Sequence, residues 1–301
     1  MALFVVVGAG PVGREVARLL VAEGHSVRLI SRTGMGIPGD GVENVHLDAR
    51  DGEALARISS SAEAIFMCAM APYTRWPTDF PPIMDGVLTA AKRVGARLLI
   101  AGNVYGYGEQ ARSTLTPDLP LAPTSIKGRV RVAMWRSALS SGVPVIEVRA
   151  SDYLGQGAGS LFTLAGLPSL LAGNEVVLPG DMEVPHAWTF TKDVARTLVA
   201  ASRYSGDWGR AFHVPSWHVS VRGLVHRFSI SLGVIMPDLR SLSLRQVSVL
   251  AQEDELMREI GEIYYLLEKP YFLDATDTER LLGVVASSPD LLVEDTLSKV
   301  V

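Results

Sequence analysis

The chain opens on an unbroken apolar run, Phe4-Val5-Val6-Val7, followed at once by Gly8-Ala9-Gly10-Pro11-Val12-Gly13. A short β-branched run bounded by glycine predicts a buried strand, and the change to helical spacing behind it predicts a helix. That helix is expected to run to about Glu23, with Gly24 as its stop. Further strands are expected over His25–Ile30, near Val45–Leu47, near Ala64–Cys68, over Arg97–Ala101 and over Val143–Val148. Between them, Ile83–Val94 reads as a helix with Val87, Ala90, Ala91 and Val94 on one stripe and Gly95 at its end. Another helix is expected from about Ser125 to Ser141, closed by Gly142. Alternating strands and helices predict an α/β fold, a doubly wound parallel sheet covered on both faces.

From Gly155 onward the alternation loosens. Helices are expected near Leu161–Leu171, Lys192–Ser202, Ser220–Leu232, Leu244–Leu250 and Asp254–Leu267, with strands at Ala211–Val214 and Tyr271–Asp274. The expected organisation is a dinucleotide-binding core over residues 1–154 and a smaller C-terminal, substrate-covering lobe over 155–301, with elements returning to the core. Tyr73–Pro82 reads as a stiff connector rich in proline and aromatics, either a wall for a flat substrate or packed filling.

The first strand, its glycine pattern and the helix behind it together form G-x-G-x-x-G in its meaningful setting. Gly8 permits the tight turn, Gly10 lets the backbone approach a pyrophosphate, and Gly13 lets helix and strand pack closely. Pro11 opens the helix, and the first helical amides, from Val12 onward, open toward an anion. This predicts a Rossmann-type dinucleotide site. The second strand ends in Ser31-Arg32-Thr33, where NAD-binding versions carry a carboxylate for the ribose 2′-hydroxyl. A guanidinium suits a 2′-phosphate, so NADP(H) is the expected cofactor.

Of the 301 residues, 48% are apolar and 20% charged, which supports a sizeable core. The formal net charge of −4 argues against a nucleic-acid surface. Cys68 is the only cysteine, so neither a disulfide framework nor a cysteine metal site is expected, and no metal is assigned. The apolar start is assigned to a strand rather than a leader, and no apolar stretch is long enough to span a bilayer. A cytoplasmic protein with no membrane partner is expected.

Several later segments, in order, resemble extended short-chain dehydrogenase/reductases, the group that includes NAD-dependent epimerases and dehydratases. They are the glycine motif, Asp48, Val104-Tyr105-Gly106, Arg149-Ala-Ser-Asp-Tyr-Leu-Gly155, Pro185-His186 and Lys192-Asp193-Val194-Ala195. The resemblance implies that Asp48 and Ala49 lie beside adenine, and that Cys68, Ala69 and Met70 line the cofactor. It further implies that Gly102, Asn103, Ala150 and Ser151 lie near the nicotinamide. The family uses Ser or Thr after strand five and Tyr-x-x-x-Lys. Here Lys127 matches the lysine and is expected to hold the ribose, but Pro123 stands four residues earlier, and Ala101-Gly102-Asn103 offers no hydroxyl.

The reaction's proton then comes from water, from the substrate, or from a relocated group among Tyr105, Tyr107, Ser151, Asp152, Tyr153 and His186. Lys127, Ser151 and Tyr105 are the weak catalytic candidates, and Tyr73, Trp76, Tyr105, Tyr153 and His186 the expected substrate residues. The leading expectation is an NADPH-dependent ketoreductase acting on a small-molecule aromatic polyketide, as a monomer or homodimer. A sugar-nucleotide epimerase or dehydratase and a non-catalytic NADP(H) sensor are the alternatives. Arg129, Arg131 and Arg136 are read as the outer face of a helix, and His213, His218, Tyr264, Tyr265, Tyr271 and Phe272 as structural.

Overall fold

The computed structural model describes residues 1–39 and 41–298. Its strands are β1 (Leu3–Val7), β2 (Ser26–Ser31), β3 (Val42–His46), β4 (Ala62–Met67), β5 (Arg97–Asn103), β6 (Thr114–Leu115), β7 (Val145–Ala150), β8 (Asp152–Leu154), β9 (Val176–Pro179), β10 (His186–Phe190), β11 (Arg210–His213), β12 (Trp217–Val219), β13 (Leu239–Leu242) and β14 (Phe272–Leu273). The helices are α1 (Pro11–Ala22), α2 (Gly52–Ile58), α3 (Trp76–Val94), α4 (Ile126–Ser140), α5 (Leu167–Leu171), α6 (Thr191–Ala201), α7 (Val221–Leu232), α8 (Leu244–Leu250), α9 (Glu255–Glu262), α10 (Tyr265–Glu268), α11 (Thr276–Leu282) and α12 (Pro289–Leu297). Among the described residues no helix is long and apolar enough to cross a membrane.

Seven strands form one parallel sheet in the order β11-β7-β5-β4-β1-β2-β3. Its central strands are apolar on both sides because both faces are covered. One face carries α2, α3 and α4, through Leu55, Phe80, Val87 and Met134. The other carries α1 and α6, through Val16, Leu20, Val194 and Leu198. The expected Rossmann-type α/β architecture is therefore present, with β11 and α6 of the second half built into the core. A separate apolar cluster joins α5, α7, β10 and α12 around Phe162, Trp188 and Phe228. There β10 pairs with β8 and β12, a small sheet that the sequence pattern did not predict.

The connector expected at Tyr73–Pro82 is instead one 3₁₀ turn, Tyr73–Arg75, followed directly by α3. Pro77 sits in the first helical turn, where a missing N–H costs little. Pro81 and Pro82 lie inside the helix and each removes a rung, at roughly 3 kcal/mol apiece. Trp76, Phe80, Met84 and Val87 are all 2% exposed or less, and burial of such side chains contributes about 1.5–3 kcal/mol each. Burial of one helical stripe outweighs the two lost rungs, so the helix starts seven residues before the expected Ile83.

Two further expectations change. The helix expected over Asp254–Leu267 breaks at Ile263–Tyr264 into α9 and α10. Arg131 is not on an outer face: it is 5% exposed, stacked 4.7 Å from the Trp76 ring and 4.4 Å from the Phe80 ring, and donates to the Ala101 carbonyl at 3.3 Å. Phe80 thus anchors both α3 and the arginine that ties α4 to β5. Phe80→Ala is expected to lower unfolding free energy by about 3–5 kcal/mol in denaturant titration; a loss below about 1 kcal/mol would refute that anchoring role.

Candidate active site

The β1–α1 turn is made by absent side chains. Gly8 has φ +108°, and a Cβ there would lie 2.5 Å from the Ala69 amide nitrogen. A Cβ on Gly13 would lie 1.9 Å from the Gly8 carbonyl oxygen. Gly10 is different: nothing lies within 4 Å of its Cβ position, so its outer side is open. Pro11 begins α1 and Val12 is buried, which holds the first turn while its amides face outward. The Nε of Arg14, on the same turn, is buried without a partner among the described residues.

Beside this turn lies a cavity of about 320 Å³. It brings together the expected Gly8, Gly10, Ser31, Arg32, Thr33, Asp48, Ala49, Cys68, Ala69 and Met70, holds Arg14, whose residue type and place could also reach a phosphate, and adds Met35, Pro72, Asp79 and Ile83. The Ser31 hydroxyl donates to the Met35 carbonyl at 2.8 Å, and Thr33 Oγ1 accepts from the Met35 amide at 3.3 Å. These two hydroxyls shape the loop and leave the exposed Arg32 guanidinium as its cation. Asp48 accepts from Arg50 Nε at 3.0 and 2.9 Å. That bond, helped by the charges of Arg50 and Arg32, holds the carboxyl below its usual range. Burial pushes the Cys68 thiol up to about 12, so this wall is uncharged. The glycine cradle, the orphaned Arg14 nitrogen and the loop cation all fit a dinucleotide.

Gly102, Asn103, Lys127, Ala150 and Ser151 do not line that cavity. They gather further along, where β5, β7 and the start of α4 end. Asn103 Oδ1 accepts from the Tyr105 amide at 3.2 Å and caps the turn Val104–Tyr107. Lys127 is 1% exposed, is paired with Glu259, and lies 4.4 Å from the Tyr73 ring centre. Burial lowers it to about 8, opposed by the charge of Glu262. Glu262 also accepts from the Ile126 amide at 3.0 Å, so α9 is fastened across the start of α4 by two carboxylates. Their only trace in the sequence is the i, i+3 spacing of Glu259 and Glu262 on a helix.

Aromatic and polar groups close this end. The Tyr73 and Tyr105 hydroxyls are 3.2 Å apart. Trp76 stacks behind Tyr105 with ring centres 5.8 Å apart, and its indole N–H donates to the Ala71 carbonyl at 3.2 Å. At 2% exposure Trp76 is core, which corrects its expected place in the pocket wall. Tyr153 packs against the apolar cluster on the α1/α6 face. Tyr107 is taken up in a buried network, bonded to His213 Nε2 at 2.6 Å and accepting from Arg149 at 2.8 Å.

Tyr271 is core, as expected, at 5% exposure, and its hydroxyl also bonds that of Ser151. His186 stacks on Tyr271 at 5.8 Å and 11°, is 1% exposed, and is lowered by burial to about 4, so it is neutral near pH 7. Burial raises Asp152 to about 6.

Solved structures share this architecture. A double mutant of DesIV, a dTDP-glucose 4,6-dehydratase from Streptomyces venezuelae with NAD and DAU bound, superposes with a TM-score of 0.78 at 22% identity over 99% of this chain and 96% of that one. UDP-glucuronic acid 4-epimerase from Bacillus cereus with NAD gives 0.79 at 15% identity, over 98% and 97%. WbmH from Bordetella bronchiseptica with NAD+ gives 0.79 at 18%, over 99% and 98%. No curated protein sequence matches the chain. Residues 4–214 match the model of the NAD dependent epimerase/dehydratase family, and the chain belongs to that family.

Proposed function

We propose that the protein is an NADPH-dependent ketoreductase that reduces a carbonyl of a bulky aromatic polyketide of the angucyclinone type. The carrying observation is the substitution at the proton-relay position: Pro123 stands four residues before Lys127, where the family places tyrosine, while Tyr73, Tyr105 and Tyr271 gather at the same end of the groove. The Gly8–Gly13 start, the segment Gly102-Asn-Val-Tyr-Gly106 and Pro123 are similar to those of the ketoreductase of simocyclinone biosynthesis, which supports a place in antibiotic biosynthesis.

Bound NADPH supplies a hydride for the carbonyl carbon. The chain's own groups bind and orient. The amides opening α1 and the side chain of Arg14 would hold the pyrophosphate, Arg32 suits a 2′-phosphate, and the family resemblance gives Lys127 the ribose. Aromatic walls exclude water from the reacting centre. The proton completing the carbinol comes from water or from a substrate phenol already hydrogen-bonded to the carbonyl. The second arrangement stabilises the oxyanion inside the substrate and removes the need for an enzymic acid.

Family membership and the structural relatives, a dTDP-glucose 4,6-dehydratase and a UDP-glucuronic acid 4-epimerase among them, support a second reading, sugar-nucleotide epimerisation or dehydration. Arg32 and Pro123 weigh against it, because such chemistry needs a tyrosine base. A sensor that binds NADP(H) without turnover is the third reading.

Deuterium from labelled NADPH is expected on the carbinol carbon of a reduced hydroxylated anthraquinone or angucyclinone, with NADH the poorer donor. Tight NADPH binding without transfer to any acceptor would favour the sensor. Arg32→Ala is expected to raise KM for NADPH by about ten- to hundred-fold and leave NADH within about two-fold, since one charge-assisted phosphate contact is removed; equal effects on both cofactors would disprove a 2′-phosphate role. Gly10→Ala is expected to leave the unfolding midpoint near wild type, because its Cβ meets open space, yet to abolish the thermal shift given by NADPH. An undiminished shift would place the pyrophosphate elsewhere.

A further inference from the structure

Methionine is unevenly exposed in this chain. Apart from Met1, two of the nine methionines are exposed by more than a third, Met35 at 66% and Met70 at 54%. Met67, Met84, Met134 and Met182 are buried, and Met236 and Met257 are half-buried. Both exposed thioethers line one cavity, the one beside the β1–α1 turn. They come from the two strands that flank β1 in the sheet: Met35 follows β2 and Met70 follows β4. The backbone fixes each of them. The Ser31 hydroxyl donates to the Met35 carbonyl at 2.8 Å, and the Met35 amide donates to Thr33 Oγ1 at 3.3 Å. Met70 follows Ala69, whose amide nitrogen lies so close to Gly8 that a Cβ there would stand 2.5 Å away.

Two apolar side chains held in water at one cavity present a surface for a ligand to cover. A thioether is polarisable and unbranched, and it adapts to a flat ring. Asp48 and Ala49, which the family resemblance sets beside adenine, line the same cavity. We infer that Met35 and Met70 form an oxidation-sensitive clamp on the adenine of the cofactor: as thioethers they cover the ring, and as sulfoxides they release it. This rests on the dinucleotide reading of the cavity and adds a means of control to it. The oxidant is a peroxide. Each sulfur takes one oxygen atom from hydrogen peroxide, the O–O bond breaks, and the products are methionine sulfoxide and water; sulfur gives up two electrons and the peroxide is reduced. The apolar contact becomes a polar one. Cys68 lines the same cavity but competes poorly, because burial pushes its thiol up to about 12 and the thiolate is the reactive form.

The test treats the full chain with dilute hydrogen peroxide, with and without saturating NADP+, and reads sulfoxide at each methionine by peptide mass spectrometry. Without cofactor, Met35 and Met70 are expected to oxidise at least about ten-fold faster than the buried Met67, Met84 and Met134. With NADP+ bound, both are expected to slow at least about five-fold, while Met236, outside that cavity, keeps its rate. NADP+ affinity is then measured by calorimetry on treated and untreated protein. Oxidation is expected to raise Kd at least about ten-fold, and the two methionine sulfoxide reductases, one for each epimer, to restore it. For Met35→Leu/Met70→Leu the ratio of treated to untreated Kd is expected to stay within about two-fold, since no sulfur remains at the clamp.

That variant keeps the other methionines, so general damage by peroxide would weaken its binding as much as the wild type's. Equal oxidation of Met35 and Met70 with and without bound NADP+ would overturn the clamp. So would a treated wild type that binds NADP+ as the untreated protein does, or a leucine variant as sensitive to peroxide as the wild type. Failure of the dinucleotide reading is distinct: the untreated protein would bind neither NADP+ nor NAD+, and the clamp would fall with it.

Discussion

The carbonyl of Gly8 lies where a side chain on Gly13 would stand, and much of the molecule depends on that contact. It draws α1 onto the end of β1, and Gly8 in turn presses against the Cys68–Ala69 backbone at the end of β4. Two neighbouring strands and one helix terminus thereby meet at a single point. The amides of α1 point into the groove only because nothing larger than hydrogen separates these backbones. Packing of α1 against α6 follows, and with it the attachment of the second half of the chain to the sheet.

The opposite end of the groove is held by charge and aromatic packing. Arg131 sits between Trp76 and Phe80 and reaches the Ala101 carbonyl, so the residues behind Tyr105 form a rigid backing. Lys127 is buried in front of it, and its charge is balanced by Glu259 from a helix far along the chain. A buried ammonium stripped of its partner is strongly unfavourable, so the Lys127–Glu259 pair ties α9 to the start of α4.

The strand–glycine–helix start was legible because its signal is local: β-branched residues, three glycines at fixed spacing, and a period change within about a dozen residues. The same holds for α4, α6 and α8, whose ends fell within a residue or two of expectation. α3 was misread because Pro81 and Pro82 are local breakers, whereas the burial of Trp76 and Phe80 that overrides them is tertiary. Arg131 looked solvated because its aromatic partners are about fifty residues away in sequence. The glycine turn, Arg32 and Asp48 of the candidate site were legible. Tyr271, Glu259 and Glu262 were not, since each meets the site only through contacts spanning more than a hundred residues.

The sheet is shared with solved structures of 15–22% identity, and a shared fold leaves the chemistry open. What distinguishes this chain is a handful of side chains on a common frame. Pro123 stands four residues before Lys127, and Arg32 follows the end of β2. Pro123 lies outside any helix or strand and Arg32 is exposed, so the core dictates neither. Residues that a fold does not require are where proteins on one frame come to differ in chemistry.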